Sequence, residues 1–577
     1  MKKSNIILIL IILIASILRL WKLAEVPVSL FGDELDVGYH AYSILKTGRD
    51  YSGNFLPLHF QSLAEWRTPL YLYSVVPTVA MFGISPLGVR LPAALFGIVG
   101  VIGMYLFAKE IGRYGNMSRK KTEILALIAT TILTFSPWHI QYSRAAFEVT
   151  LLIVFYLFGL FFFFKSIGEG KSGKWLWISV SLLITTPLIY STAKLFTPIL
   201  LILLFGLWFR ELLTVPNKYL IYAIIAGMVL GIPTAYATLY SGGTQRYGYI
   251  SIFTDPSRET EVGVKRQLAA DVRGEEGLGI QPKTEDKVFY NKFTFWGQKF
   301  LKNYFEPFST SFLFVKGDLN LRHSIEGIAQ FYKVEAIALI LGLIFFFTKF
   351  KDRKIKALVA FWIVLGVIPS AITRDGGMHA TRLVVLLPPL VLLISYGIYT
   401  LTQSKKPWNY IFISGYVFLF VFNFVFYQNA FWRENLWYSE RWWHSGYEEA
   451  INTIQDIESE YDNVLITMAS EPSWIFFAAW SEYDPVGWQK VKPDKNWIDH
   501  EIFGRVTTID KYIFGSPPEG LYEWGKKIDN TTLFLASEKE VGINLIREPN
   551  RTPGNLTLIK SIAYPSGEPA FYIFSGK

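Results

Sequence analysis

A succession of about eleven apolar runs, most of them near the 20 residues that a helix needs to cross a hydrocarbon core, constrains this chain more than any other feature. The runs fall at residues 6–21, 87–109, 122–135, 147–164, 175–190, 195–209, 219–239, 331–348, 356–372, 383–401 and 408–427. With 51% hydrophobic residues and a mean hydropathy of +0.30, the 577-residue chain is too apolar for a soluble globule of ordinary composition. It reads as a polytopic membrane protein, mainly α, with soluble parts attached. The 18 Trp and 32 Tyr suit a protein with two lipid–water belts to line.

The net charge of +9 does not point to nucleic acid, because the cations sit in short loops between apolar runs, where they act as topology determinants. Arg113 and Arg119 to Lys121 form one such loop. Lys165, Lys171 and Lys174 form a second, Arg210 and Lys218 a third, residues 349–356 a fourth, and Lys405 with Lys406 a fifth. All fall on the side of Lys2 and Lys3 if residues 69–82, short and interrupted by Pro77, lie in the interface rather than cross. The positive-inside rule then makes the N-terminus cytoplasmic and the protein a multi-pass plasma-membrane protein. The first run is followed by no small-residue cleavage site, so it reads as an uncleaved helix. The chain has no cysteine, and therefore neither disulfides nor thiolate metal sites.

The opposite side carries the substance. Residues 22–86 form a long first outer loop, in which 33–45 has the pattern of an amphipathic helix lying on the membrane. Residues 241–330 form a larger outer loop. From 429 to 577 the chain is polar enough to be soluble, with an amphipathic helix over 447–461 and strands at 463–468, 532–536, 556–562 and 570–574. A membrane domain over 1–428 and a small extracytoplasmic α/β domain over 429–577 are the expected units.

On that topology, Asp33, Glu34, Arg67, Arg144, Glu148, Lys194, Arg374, Asp375, His379 and Arg382 share one membrane level although they are far apart in sequence. Few other ionisable residues fall mid-span, which argues against an ion pathway. Carboxylates and cations gathered at a lipid interface suit sugar transfer from a lipid-linked donor: a carboxylate takes the acceptor proton and cations neutralise the departing phosphate. Each residue also has a plainer reading. Asp33 and Glu34 suit the first turn of a helix, Arg144 and Glu148 an i,i+4 pair, and Lys194 and Arg374 snorkelling to headgroups. A lipid flippase or transporter would share the many helices but should show repeated halves or polar residues at the bilayer midplane, and neither stands out; a membrane assembly protein with an outer domain would have no reason to gather this acid and base set.

Six motifs recur in order on one side: Gly32-Asp-Glu34, Glu65-Trp-Arg-Thr-Pro-Leu70, Arg90-Leu-Pro-Ala-Ala, Ser136-Pro-Trp-His-Ile-Gln-Tyr-Ser-Arg144 with Glu148, Tyr190-Ser-Thr-Ala-Lys194, and His379-Ala-Thr-Arg-Leu-Val-Val-Leu-Leu-Pro388. Together they resemble the GT-C glycosyltransferases, most of all the protein O-mannosyltransferase group and the aminoarabinose transferases of glycosyltransferase family 39. The resemblance covers the chain to about residue 427. It implies the GT-C fold and inverting transfer of a sugar, a hexose such as mannose, from a polyprenyl-phosphate donor to a hydroxyl of a protein, lipid or glycan acceptor. Asp33 stands at the position of the family's catalytic aspartate, with Glu34 its acidic neighbour. Arg67 takes the place of a lysine or histidine that faces the donor phosphate. Glu148 stands where relatives carry aspartate, Arg382 would bind phosphate from the other flank with His379 nearby, and Arg144 and Lys194 complete the set. The family pattern requires no cofactor, although Asp33-Glu-Leu-Asp36 has the oxygen chemistry to hold a divalent cation, Mg or Mn, beside the phosphate.

Overall fold

The computed structural model describes all residues except 1–2, 63–65, 168–171, 241–242, 276, 278, 280, 404–406, 470–471, 491–507, 517–519, 521–522, 524 and 527. Lys2, Glu65, Lys171, Lys405 and Lys406, named above, lie outside the described residues.

Every apolar run folds as a helix. The first ones are α1 (Lys3–Leu20), α4 (Pro86–Tyr114) and α5 (Arg119–Phe135), with α2 (Gly32–Thr47) and α3 (Pro69–Phe82) in the loop after α1. Val149–Ser166, Leu176–Ile184, Ala193–Leu213, Asn217–Tyr240, Glu335–Lys349, Arg353–Gly366, Leu387–Thr402 and Pro407–Asn429 continue the bundle. Among the described residues, eight helical spans are long and apolar enough to cross a bilayer. The other three runs, α5, Leu176–Ile184 and Glu335–Lys349, form shorter helices. The 14 residues of α3 extend only about 21 Å at 1.5 Å per residue, short of a hydrocarbon core. Where Glu335–Lys349 crosses Leu387–Thr402, a Cβ on Gly342 or Gly397 would collide with the facing backbone carbonyl of Leu393 or Ala338. Small residues here let two backbones approach as membrane helices require.

Beyond the bundle, six strands form one sheet in the order β4-β5-β3-β6-β8-β7: β3 (Asn463–Ile466), β4 (Thr508–Ile509), β5 (Tyr512–Phe514), β6 (Thr532–Ser537), β7 (Leu556–Ala563) and β8 (Pro569–Gly576). β3 runs parallel to β5 and β6, and the outer pairs are antiparallel. Side chains alternate between two cores. Val464, Ile466, Leu533, Leu535 and Ile573 join the core of the helical bundle, while Leu465, Phe534, Tyr572 and Phe574 pack on the other face with Val541 and Leu545. One hydrophobic core therefore runs through both parts of the chain.

α2 makes that joint. Ten of its 16 residues are buried, so it is an interior helix rather than the membrane-surface helix expected from its pattern. Tyr39 donates to the Tyr483 carbonyl at 2.9 Å and meets Trp488 edge-on, and Tyr51, just after the helix, meets Trp474. Gly38 lies so near Ile84 and Val89 that a Cβ would sit 3.1 Å from each. Among the buried polar residues of α2, Asp36 is held by the Tyr51 and Ser62 hydroxyls, Ser43 donates to the Arg49 carbonyl, and His40 stacks on Tyr51.

Candidate active site at the N-terminus of α2

The first turn of α2 presents Asp33 and Glu34 to opposite environments. Glu34 is fully buried and receives Arg90 Nε and Nη2, each at 2.8 Å, together with the Ala146 amide at 2.9 Å. Arg90 in turn donates to the carbonyls of Pro27 and Ser29 and lies over the Trp443 ring. Asp36 is equally buried. It accepts from the Tyr51 and Ser62 hydroxyls at 2.7 and 2.6 Å and from Arg67 Nε at 2.7 Å. Asp33 alone of the three carboxylates reaches solvent, with its side chain 46% exposed.

Arg67 arrives on the short antiparallel pair β1 (Phe60–Gln61) and β2 (Trp66–Arg67). Its Nη2 holds Asp33 at 2.7 Å, and its Nε meets Asp36 and the Ser62 hydroxyl. Burial alone would raise the Asp33 pKa, but the Arg67 guanidinium, supported by Arg322 and Arg246, holds it below the ordinary aspartate range. For Asp36 burial wins and the carboxyl is pushed up despite Arg67. Asp33 is thus ionised and braced at neutral pH. The Asp33 and Asp36 pair, the sequence-based candidate for Mg or Mn, holds a guanidinium instead of offering a cation site.

Close to this centre a cavity of about 340 Å³ opens between the bundle and the loop after Tyr240. Lys194, Arg246 and Arg382 line one part of it, with Leu195, Ile250, Pro369 and Ile372 lining another. Lys194 donates to the Gly243 carbonyl at 2.9 Å and lies 3.3 Å from His59 Nε2. Burial and that ammonium push His59 down to about 4, so it stays neutral. Arg382 donates to the Thr373 hydroxyl at 2.6 Å. Arg246 belongs both to the cavity wall and to the field that depresses Asp33, which ties the carboxylate to the cavity.

In the structural comparison, the crystal structure of ArnT from Cupriavidus metallidurans bound to undecaprenyl phosphate aligns over 99% of this chain and 97% of its own, with TM-score 0.51 and 10% identity. The chain has the GT-C fold. AglB from the archaeon Archaeoglobus fulgidus, in complex with an inhibitory peptide and a dolichol-phosphate, aligns over 83% of this chain and 64% of its own at TM-score 0.48 and 11% identity. No protein-family model and no curated protein sequence matches the chain.

Within this GT-C framework the sequence-based set divides. Asp33 and Arg67 meet, and Lys194 and Arg382 share the cavity. His379 lies beside His323, with ring centroids 5.0 Å apart and the rings tilted by 41°. Glu34 does not share the exposure of Asp33; it is locked to Arg90. Arg144 is fully buried, donates to the carbonyls of Leu18, Lys22 and Val26, and lies over Phe431 and Trp432. The expected i,i+4 helical relation with Glu148 does not form, because the helix Pro137–Tyr142 ends in a turn and Glu148 stands at the start of the next helix.

Two cations were not singled out from sequence. Arg246 and Arg322 both belong to the outer loop 241–330, and Arg322 lies over the Phe31 ring at 5.0 Å, directly before the acidic turn. Their only sequence signal is their place in the segment 241–330, which the expected topology puts on the same side as Asp33.

Proposed function

We propose that this chain transfers a sugar, a hexose such as mannose, from a polyprenyl-phosphate donor to an acceptor hydroxyl on the extracytoplasmic side, with Asp33 as general base. The observation that carries the reading is the juxtaposition of one exposed, braced carboxylate with a cavity that is cationic in one part and apolar in another. A lipid phosphate needs both kinds of wall. ArnT, solved with undecaprenyl phosphate, lends the reading its ligand chemistry.

In this scheme the donor phosphate lies among Lys194, Arg246 and Arg382, and its prenyl chain follows Leu195, Ile250 and Ile372 toward lipid. The acceptor O–H gives its proton to Asp33 while its oxygen bonds to the anomeric carbon from the face opposite the phosphate. The anomeric C–O bond breaks, the configuration inverts, and polyprenyl phosphate leaves as an anion stabilised by the three cations. Arg67 holds the Asp33 carboxylate in place instead of clamping the phosphate. Glu34, Arg144 and Glu148 act at one remove, by shaping the turn and the helix ends around the site. The orientation follows from the basic loops, which leave α2 and the sheet domain on the outer side.

Replacing Arg382 with Ala is expected to weaken donor binding by about tenfold or more, as loss of a charge-assisted phosphate contact does. Thermal stability should change little. Titration of the purified protein with a short polyprenyl phosphate measures it, and an unaltered affinity in both this variant and Arg246→Ala would remove the phosphate from this cavity.

A further inference from the structure

We infer that Asp318, His323 and His379 form a site for a zinc-class divalent cation, with an oxygen of the donor phosphate as its remaining ligand. The phosphate half rests on the donor reading above; the three protein ligands do not.

One donor atom from each of these residues lies within 4.8 Å of the other two. In a tetrahedral zinc site the ligand atoms are about 3.3 Å apart, so modest side-chain rotations would close the set on an ion. The convergence is not a local accident of sequence. Asp318 and His323 come from the outer loop and His379 from the segment before Leu387–Thr402, and the three meet only in the folded chain.

The surroundings orient the set. His323 Nδ1 lies 2.9 Å from the Thr381 hydroxyl and 3.2 Å from that of Tyr142. Those two hydroxyls are themselves 2.7 Å apart. Asp318 is fixed by the Ala380 amide at 2.8 Å and the Asn320 amide at 2.9 Å. Such outer contacts are what hold metal-binding imidazoles and carboxylates in place. By contrast, Nδ1 of His379 is buried and makes no hydrogen bond to another residue, an omission that a metal bond would correct.

Two imidazoles and one carboxylate favour zinc and its transition-metal neighbours over Mg, which prefers oxygen. Three protein ligands leave a position open. Arg322 adjoins His323 in sequence, and Arg382 acts electrostatically on Asp318, His323 and His379. A dication with a single carboxylate is poorly balanced among guanidiniums, and a phosphate oxygen in the open position would supply the missing negative charge. The metal would then bridge the loop bearing Asp318 to the donor and help carry the charge of the leaving phosphate.

The test uses the full-length protein purified in detergent, stripped with chelator and dialysed against zinc. About one zinc per chain is expected for the wild type, and His323→Gln and His379→Gln should each weaken binding by about tenfold or more. Cobalt in place of zinc should give a visible absorption band in the wild type that both variants lack. Metal-free variants that unfold at the wild-type temperature exclude misfolding as the cause. Addition of a short polyprenyl phosphate, or of inorganic phosphate, should tighten zinc binding several-fold. Wild-type protein that retains no zinc, or variants that retain as much as wild type, would overturn the site. Zinc affinity indifferent to either phosphate would overturn the fourth ligand. Metal content is read without any transfer reaction, so these results stand apart from the glycosyltransferase proposal.

Discussion

Asp33→Asn should lower sugar transfer by about 10³-fold, within the range that removal of a general base costs, while leaving donor affinity and the unfolding temperature near wild type. The isosteric amide cannot take a proton, yet it disturbs little, because Arg67 keeps its contacts with Asp36 and Ser62. The pH dependence supplies a second readout. Arg67 holds the Asp33 carboxyl below its ordinary value of 3.8, so the base remains ionised until the pH falls beneath that range. The acid limb of the rate profile should accordingly lie below the usual carboxylate region. In Arg67→Gln the depressing charge is gone while burial remains, so the limb should move to higher pH. A radiolabelled polyprenyl-phosphate sugar, followed across pH in the two variants, measures both effects. Full activity in Asp33→Asn, or an acid limb that Arg67→Gln leaves in place, refutes the assignment.

The sequence made the helical framework legible because lipid imposes one dominant rule: backbone polar groups must be satisfied within the segment, so apolar runs become helices. The sheet was legible through period-two alternation in β6, β7 and β8, whose inner and outer residues feed different cores. The fates of the individual charges were much harder to read. Hydropathy places Glu34, Arg67 and Arg144 at the right end of the bundle but is silent on what each one touches. Arg144 looked like half of an ion pair, yet its two terminal nitrogens donate to three carbonyls where α1 ends and the chain turns. α2 looked amphipathic because its polar residues were assumed to face water, whereas Asp36, His40 and Ser43 face partners inside the protein. Arg322 and the Asp318, His323 and His379 group lie in loops without periodicity, and Arg246 sits on the six-residue helix Gln245–Ile250, too short for periodicity to report tertiary contact.

Glu34→Gln tests whether the two adjacent acids really differ in kind, and it should destabilise the protein more than Asp33→Asn, Arg67→Gln or Arg382→Ala. Glu34 and Arg90 are both completely excluded from solvent and joined by a two-point contact. Breaking such a pair from one side strands the other charge, which costs about 3–5 kcal/mol. Arg90 would retain the Pro27 and Ser29 carbonyls and the Trp443 face, but none of these carries a negative charge. The expected phenotype is a clear fall in the thermal midpoint, followed by tryptophan fluorescence in detergent, and a loss of activity no larger than the loss of folded protein. Arg90→Met should be destabilising too. The double variant should cost less than the sum of the singles, since removing both charges leaves neither stranded. The opposite pattern, wild-type stability with transfer reduced about as far as in Asp33→Asn, would make Glu34 part of the chemistry and would mean that the buried pair opens during turnover.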